Sequence, residues 1–332
     1  VTRFLLTLKQ LRFETRAAVA LSVGSSLAAI FEAWRVQTLN TPASCLPLSA
    51  GSTSAACTPA VRSWNDLMGS PDMTLAWLML TMAPFAVGIL LGAPIVAREL
   101  ETGTASLAWT MNSSRARWLA VRTLSVLAVM VPLLLLIGVS ANLLTAAKNP
   151  TVDVNAAFVD YASRGIFPLA WGLAAFAGAA WLGAVAGRVM PAVLTVAVAS
   201  VLLQGLWPSV WSRALLTPIA IPANLHGGEV DFQTDRWSYE RYFMDGKPFS
   251  GDPDAWWAAY TPPLDGPAVA TADPNVVTPN PDQEVGPVPV DYVIRGKDWY
   301  WPVTVLEAGT LTIIGLLLAG ATLYVVERRR PY

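Results

Sequence analysis

Six stretches of this chain are apolar over lengths that suit a bilayer rather than water: Ala17–Trp34, Thr74–Ala97, Trp118–Leu144, Ile166–Gly187, Val189–Trp207 and Val303–Val326. Crossing about 30 Å of hydrocarbon takes roughly 20 helical residues, and a helix satisfies its own backbone where no water is present. The pattern predicts an all-α polytopic membrane protein with six transmembrane helices. Composition agrees, because 54% of the 332 residues are hydrophobic and only 14% are charged, against about 25% charged in a soluble domain. Mean hydropathy is +0.47. Disorder, a coiled coil and an ordinary soluble enzyme are excluded. Pro84, Pro94 and Pro132 fall inside spans, where neighbouring helices accommodate them.

Orientation follows from the basic residues. Arg3, Lys9, Arg12, Arg16, Arg98, Arg115, Arg117, Arg122, Arg188, Arg328, Arg329 and Arg330 all fall on one side, which is 12 of the 22 Lys and Arg. These connections are the shorter set, and short basic connections stay cytoplasmic. Both termini are therefore expected in the cytoplasm of a multi-pass plasma-membrane protein. Residues 1–16 place Phe4, Leu5, Leu8 and Leu11 on one helical face and Lys9, Arg12 and Arg16 on another. That is the pattern of an amphipathic interfacial helix rather than a cleavable signal. The domain plan is then an interfacial helix at 1–16, five spans within 17–207, an extracellular segment at 208–302, and the sixth span with a basic tail at 303–332.

Cys45 and Cys57 lie in the outward connection between the first two spans, and two cysteines in an oxidising compartment predict a disulfide. The larger outward segment is Pro-rich between 262 and 290. It also carries Trp237, Tyr239, Tyr242, Phe243, Trp256, Trp257 and Tyr260, too many aromatics for a featureless linker. An ordered cap is expected there, preceded by an apolar stretch at Val210–Leu225 that reads as a re-entrant or interfacial element, and followed by an aromatic anchor at Trp299, Tyr300 and Trp301.

Scarcity removes other chemistries. With one His and two Cys, the chain cannot supply a zinc cluster, an iron–sulfur centre or paired haem ligands. It has no G-x-x-x-x-G-K-[ST] loop for ATP phosphates. A net charge of −1 gives no reason to expect nucleic acid. No His or Cys falls within a predicted span, which disfavours a membrane enzyme with a nucleophile and base.

The informative connection runs from the second to the third span, residues 98–117, and continues to Arg122. It reads R-E-L-E-T-G-T-A-S-L-A-W-T-M-N-S-S-R-A-R-W-L from Arg98. Glu99 and Glu101 end a helix, Gly103 can take the left-handed conformation that stops it, and Thr104 can cap a new short helix over Ala105–Met111. Leu107 and Trp109 on that helix are expected to be available for contact.

This R-E-x-E-x-G-T element with a following R-x-R-W-L resembles the type-2 ATP-binding-cassette (ABC) permeases, in particular their actinobacterial branch. The W-P-x-x-x-x-E-A-G run at Trp301–Gly309 and the basic tail are also similar to that branch. The resemblance implies that residues 98–117 form a coupling helix docking on a separate P-loop ATPase. Arg98, Glu99, Glu101, Gly103, Thr104, Leu107 and Trp109 would be its coupling residues. It further implies two ATPase copies per complex, ATP and Mg bound on that partner with no cofactor in this chain, and a second permease copy or a related permease. Export is the direction implied.

Glu307, a turn or so inside the outer end of the last span, is the intramembrane acid expected to act in packing or gating. Glu32 has a similar position in the first span. Met79, Met82, Phe85, Gln204 and Trp207 offer an apolar and aromatic substrate path, suited to a lipophilic or amphipathic cargo such as a drug, antibiotic or lipid. The rival readings are a secondary transporter, which would show repeats and mid-membrane charges, and a membrane sensor whose extracellular segment binds a ligand.

Overall fold

The structure, a computed structural model, describes residues 9–39, 41–46, 55–105, 109, 114–211, 221–222, 236–244, 247–248, 251–252, 288–294 and 296–329. The chain forms two units, Val1–Trp207 with Lys297–Tyr332, and Pro208–Gly296.

The first unit is helical. Its elements are α1 (Arg12–Thr38), α2 (Thr58–Met68), α3 (Pro71–Gly92), α4 (Pro94–Glu101), α5 (Arg115–Lys148), α6 (Phe167–Ala186), α7 (Val189–Trp211) and α8 (Gly296–Arg328). Among the described residues six helices are long and apolar enough to cross a membrane, α3 and α4 together making one span. Pro94, which lacks an N–H, begins α4 at the joint. Helix starts follow capping chemistry. Ser70 Oγ accepts from the Met73 N–H at 3.3 Å ahead of Pro71, and Ser114 Oγ accepts from the Arg117 N–H at 3.1 Å.

The core lies where α1, α5 and α6 surround α3. Leu80, Val87 and Leu91 of α3 share one buried cluster with Met130, Leu134 and Ile137 of α5. Gly88 and Gly92 let α6 approach closely, since a Cβ at either would collide with the backbone of Gly172 or Phe176. The contact between α1 and α5 includes a polar pair, with Ser140 Oγ donating to Ser26 Oγ at 3.2 Å. α7 and α8 leave broad apolar faces exposed, including Leu194, Val198, Leu202, Leu316 and Leu317.

At the N-terminal side Leu11 is buried while Lys9, Arg12 and Arg16 are exposed. Phe4, Leu5 and Leu8 of the expected interfacial helix lie outside the described residues. Cys45 and Cys57 are joined in a disulfide with Cα atoms 5.5 Å apart. Both are buried under Leu46, Ala60, Val61 and Trp64. α2, which follows directly, is a helix that the Ser- and Pro-rich sequence did not announce.

The second unit contains a four-stranded antiparallel sheet of β1 (Ile221–Pro222), β2 (Arg236–Met244), β3 (Lys247–Pro248) and β4 (Val288–Ile294), in the order β1-β4-β2-β3. β2 and β4 pair from Arg236 opposite Ile294 to Phe243 opposite Val288, with an irregularity between Trp237 and Tyr239. The aromatics Trp237, Tyr239, Tyr242 and Phe243 thus fall on a strand. Trp256, Trp257, Tyr260 and most of the Pro-rich stretch lie outside the described residues. Of the expected re-entrant stretch, Val210 and Trp211 close α7, Ile221 and Pro222 form β1, and the remainder is outside the description. Trp299, Tyr300 and Trp301 belong to the first turns of α8, which starts before the predicted span.

Candidate functional site

Residues 98, 99 and 101 sit on one turn of α4, and successive helical residues point about 100° apart. Each therefore meets a different neighbour. Arg98 Nη1 donates to the Gln10 carbonyl at 2.9 Å and to Glu14 Oε1 at 3.2 Å, at the start of α1. Glu99 Oε1 accepts from Arg122 Nη1 of α5 at 2.7 Å. Glu101 Oε2 accepts from the Val189 N–H at 3.2 Å, where α7 begins and its first N–H groups have no helical partner. One helical turn thus ties α1, α5 and α7 together.

After Glu101 the helix stops as the sequence predicts. Thr102 and Gly103 close it with bonds to the Arg98 and Leu100 carbonyls, and Gly103 takes φ +73°. Thr104 Oγ1 donates back to Glu99 Oε2 at 2.5 Å and lies 2.9 Å from Thr102 Oγ1. Ala105 and Trp109 are helical, whereas Leu107 and the rest of 106–113 lie outside the described residues.

Trp109 corrects one expectation. Instead of presenting its ring for contact it is only 6% exposed. Its indole meets Trp118 edge-on with centroids 6.4 Å apart, and the Arg115 guanidinium lies 4.5 Å over its ring. Trp118 in turn lies 5.4 Å from the Arg122 guanidinium, so an edge-on pair of tryptophans is flanked by arginines from Arg115 to the Glu99 ion pair. Packing of this bulky indole against Arg115 and Trp118 secures the C-terminal part of the connection to α5.

Arg115 and Arg329 cap helix ends. Arg115 Nη1 donates to the carbonyls of Val326, Glu327 and Arg329 at 3.2, 3.0 and 2.7 Å, at the end of α8. Arg329 Nη1 donates to the carbonyls of Ala184 and Val185 at the end of α6. A cation at these ends satisfies orphan carbonyls and opposes the helix dipole. Two of the basic residues counted for orientation thus also fasten the ends of α8 and α6.

The other candidate residues divide among separate places. Glu307 is buried, at 2% exposure, on α8. Met79 lines a groove of about 500 Å³ between α1 and α3, together with Glu32. Phe85 and Trp207 instead line a cavity of about 200 Å³ enclosed by α3, α6, α7 and α8. Trp171 stands between them, its ring 5.2 Å from Phe85 and 5.4 Å from Trp207. Met82 and Gln204 are half-buried and line neither space. The five residues of the expected path are not brought together within this single chain.

Sequence reasoning passed over two residues that hold the unit together. Glu14 is an acid within a basic segment, and its meaning becomes visible only opposite Arg98. Arg164 is 1% exposed, with Nε donating to the Val159 carbonyl at 2.8 Å and Nη1 to Asn142 Oδ1 and Tyr300 Oη at 3.4 and 3.3 Å. Nη2 donates to the Ala157 carbonyl. This arginine fastens the connection before α6 to the first turn of α8.

The family described as "ABC-2 membrane transporter related" matches residues 15–211, more than half of the chain, from the first turn of α1 to the end of α7. No curated protein and no solved structure matches it. The match covers the first five spans and the 98–117 connection, and it stops before the strands and α8. The chain is a membrane protein of the ABC-2 membrane transporter related family, a permease-type transport subunit of the kind that works with an ATPase subunit.

Proposed function

We propose that this chain is the permease of an ABC exporter, with residues 98–117 as the element that receives a separate P-loop ATPase. The observation that carries this reading is the anchoring of α4. Arg98, Glu99 and Glu101 grip three other helices, so a push on the connection is transmitted to α1, α5 and α7 together. A loop held only by its two flanking spans would yield locally instead. Gly103 and Thr104 set the exit angle of the connection, and Leu107 and Trp109 belong to the segment that follows.

ATP and Mg bind the partner in this reading, two ATPase copies serve two permease chains, and both termini are cytoplasmic. The cargo is lipophilic or amphipathic, because the two spaces that Met79 and Phe85 line are walled mainly by Ala, Leu and aromatic side chains. Glu307 acts in packing or gating rather than as a carrier of protons. The 208–302 segment serves as an extracellular cap.

The test is co-expression with an ATPase encoded beside this gene. The two should co-purify, and hydrolysis should require both. Glu99→Ala should uncouple ATP hydrolysis from transport while the complex still assembles. Transport that persists undiminished in Glu99→Ala and in Gly103→Val would remove the 98–117 connection from the mechanism.

A further inference from the structure

The groove between α1 and α3 has a chemical asymmetry that a general lipophilic path does not require. Its length from Ala20 to Glu32 corresponds to about 18 Å of helix rise, the reach of a long alkyl chain. Along that length it is lined by small and apolar residues, among them Gly24, Ala28 and Met79. Gly24 faces open space, with nothing within 4 Å of where a Cβ would stand.

The groove ends at Phe31, Glu32 and Asp72, where the charges do not cancel. Glu32 is 2% exposed, and both its oxygens accept from Arg35 Nη1, at 3.0 and 3.1 Å. The same nitrogen reaches Asp72 only at 3.5 Å, and the Asp72 carboxylate is 73% exposed. Two carboxylates therefore share one guanidinium, which leaves a net charge of about −1 at the mouth of an apolar slot. The Arg35 guanidinium also lies 5.9 Å over the Phe31 ring, and Trp34 stands 5.9 Å from that ring, so the mouth has an aromatic wall beside the charge.

We propose that this groove binds a cationic amphiphile, with its alkyl chain along Gly24, Ala28 and Met79 and its ammonium group at Asp72 and Glu32. Charge complementarity selects the head group. An anionic amphiphile of equal length would bury the same tail but face two carboxylates. The inference rests on the reading of the chain as a permease for amphipathic cargo and narrows that cargo by charge.

The test uses the full chain in phosphatidylcholine nanodiscs, with tetradecyltrimethylammonium and tetradecyl sulfate as probes. Saturable binding is measured above partition into empty nanodiscs. The ammonium probe should bind about tenfold more tightly than the sulfate, the size expected for one charge-assisted contact at a partly exposed site. Asp72→Asn should abolish that preference, and Gly24→Leu should weaken binding of the ammonium probe by obstructing the slot. Equal affinity for the two head groups, or an unchanged preference in Asp72→Asn, would overturn the proposal. So would a Gly24→Leu chain that loses self-association yet binds the ammonium probe normally, which assigns the groove to a second copy. Pairing with an ATPase is read separately by co-purification of the unmodified chain, so either reading can fail without the other.

Discussion

Arg122 shows how little a single position discloses before it is folded. In the sequence it is one more base near the start of a span, explained by the preference of such residues for the cytoplasmic side. In the fold its side chain is 5% exposed and it holds Glu99, 23 residues earlier, at 2.7 Å. Removing either partner leaves the other charge in a poorly solvated place. Arg122→Leu and Glu99→Leu should therefore each cost about 3 kcal/mol. The double variant should cost clearly less than the sum, because neither charge is then stranded. Thermal unfolding of the four chains in one detergent checks this, and additive losses would mean that the pair is not coupled. Gly103 lies at the opposite extreme. Its position after a charged helix end predicted a left-handed stop, and φ +73° is what the chain adopts, because the termination of a helix depends on neighbours one turn away.

The elements differ in what their glycines and cysteines do. Gly88 and Gly92 face backbone of α6, so Gly88→Leu should prevent α3 from seating, with a loss of about 3 kcal/mol or more from overpacking. Gly320 on α8 has nothing within 4 Å of a Cβ, and Gly320→Ala should be neutral or stabilise by up to about 1 kcal/mol. Fluorescence-detected size exclusion after heating would separate these outcomes, and equal behaviour of the two variants would contradict the α3–α6 packing. The Cys45–Cys57 bridge closes a short loop, and its reduction should lower stability by about 2–3 kcal/mol in the chain-entropy account. A thermal shift measured with and without reductant tests that, provided intact mass before reduction shows no alkylatable thiol. Both glycines of α3 look like ordinary residues of an apolar run. Only the helix packed across from them distinguishes them from Gly320.

For the whole molecule the testable statement is orientation. Thr102 and Asp153 are both exposed and lie in connections that the basic-residue count assigns to opposite sides. Thr102→Cys should escape a membrane-impermeant maleimide in intact cells and react after lysis, whereas Asp153→Cys should react in both. The reverse pattern would turn the molecule over and place residues 98–117 beyond the reach of any cytoplasmic ATPase. The sequence by itself determined the number and approximate places of the spans, because hydropathy sums over neighbouring residues and a bilayer has a fixed thickness. It likewise determined the cysteine pairing, since only two cysteines are present. Tertiary structure alone decided that α3 is the central helix, that Arg98 meets Glu14 across 84 positions, that β2 finds β4 and that Met79 and Phe85 open onto different spaces. Each of these is a contact between residues distant along the chain, where the partner is selected by which helix faces and strand edges come together, a choice that no local run of residues encodes.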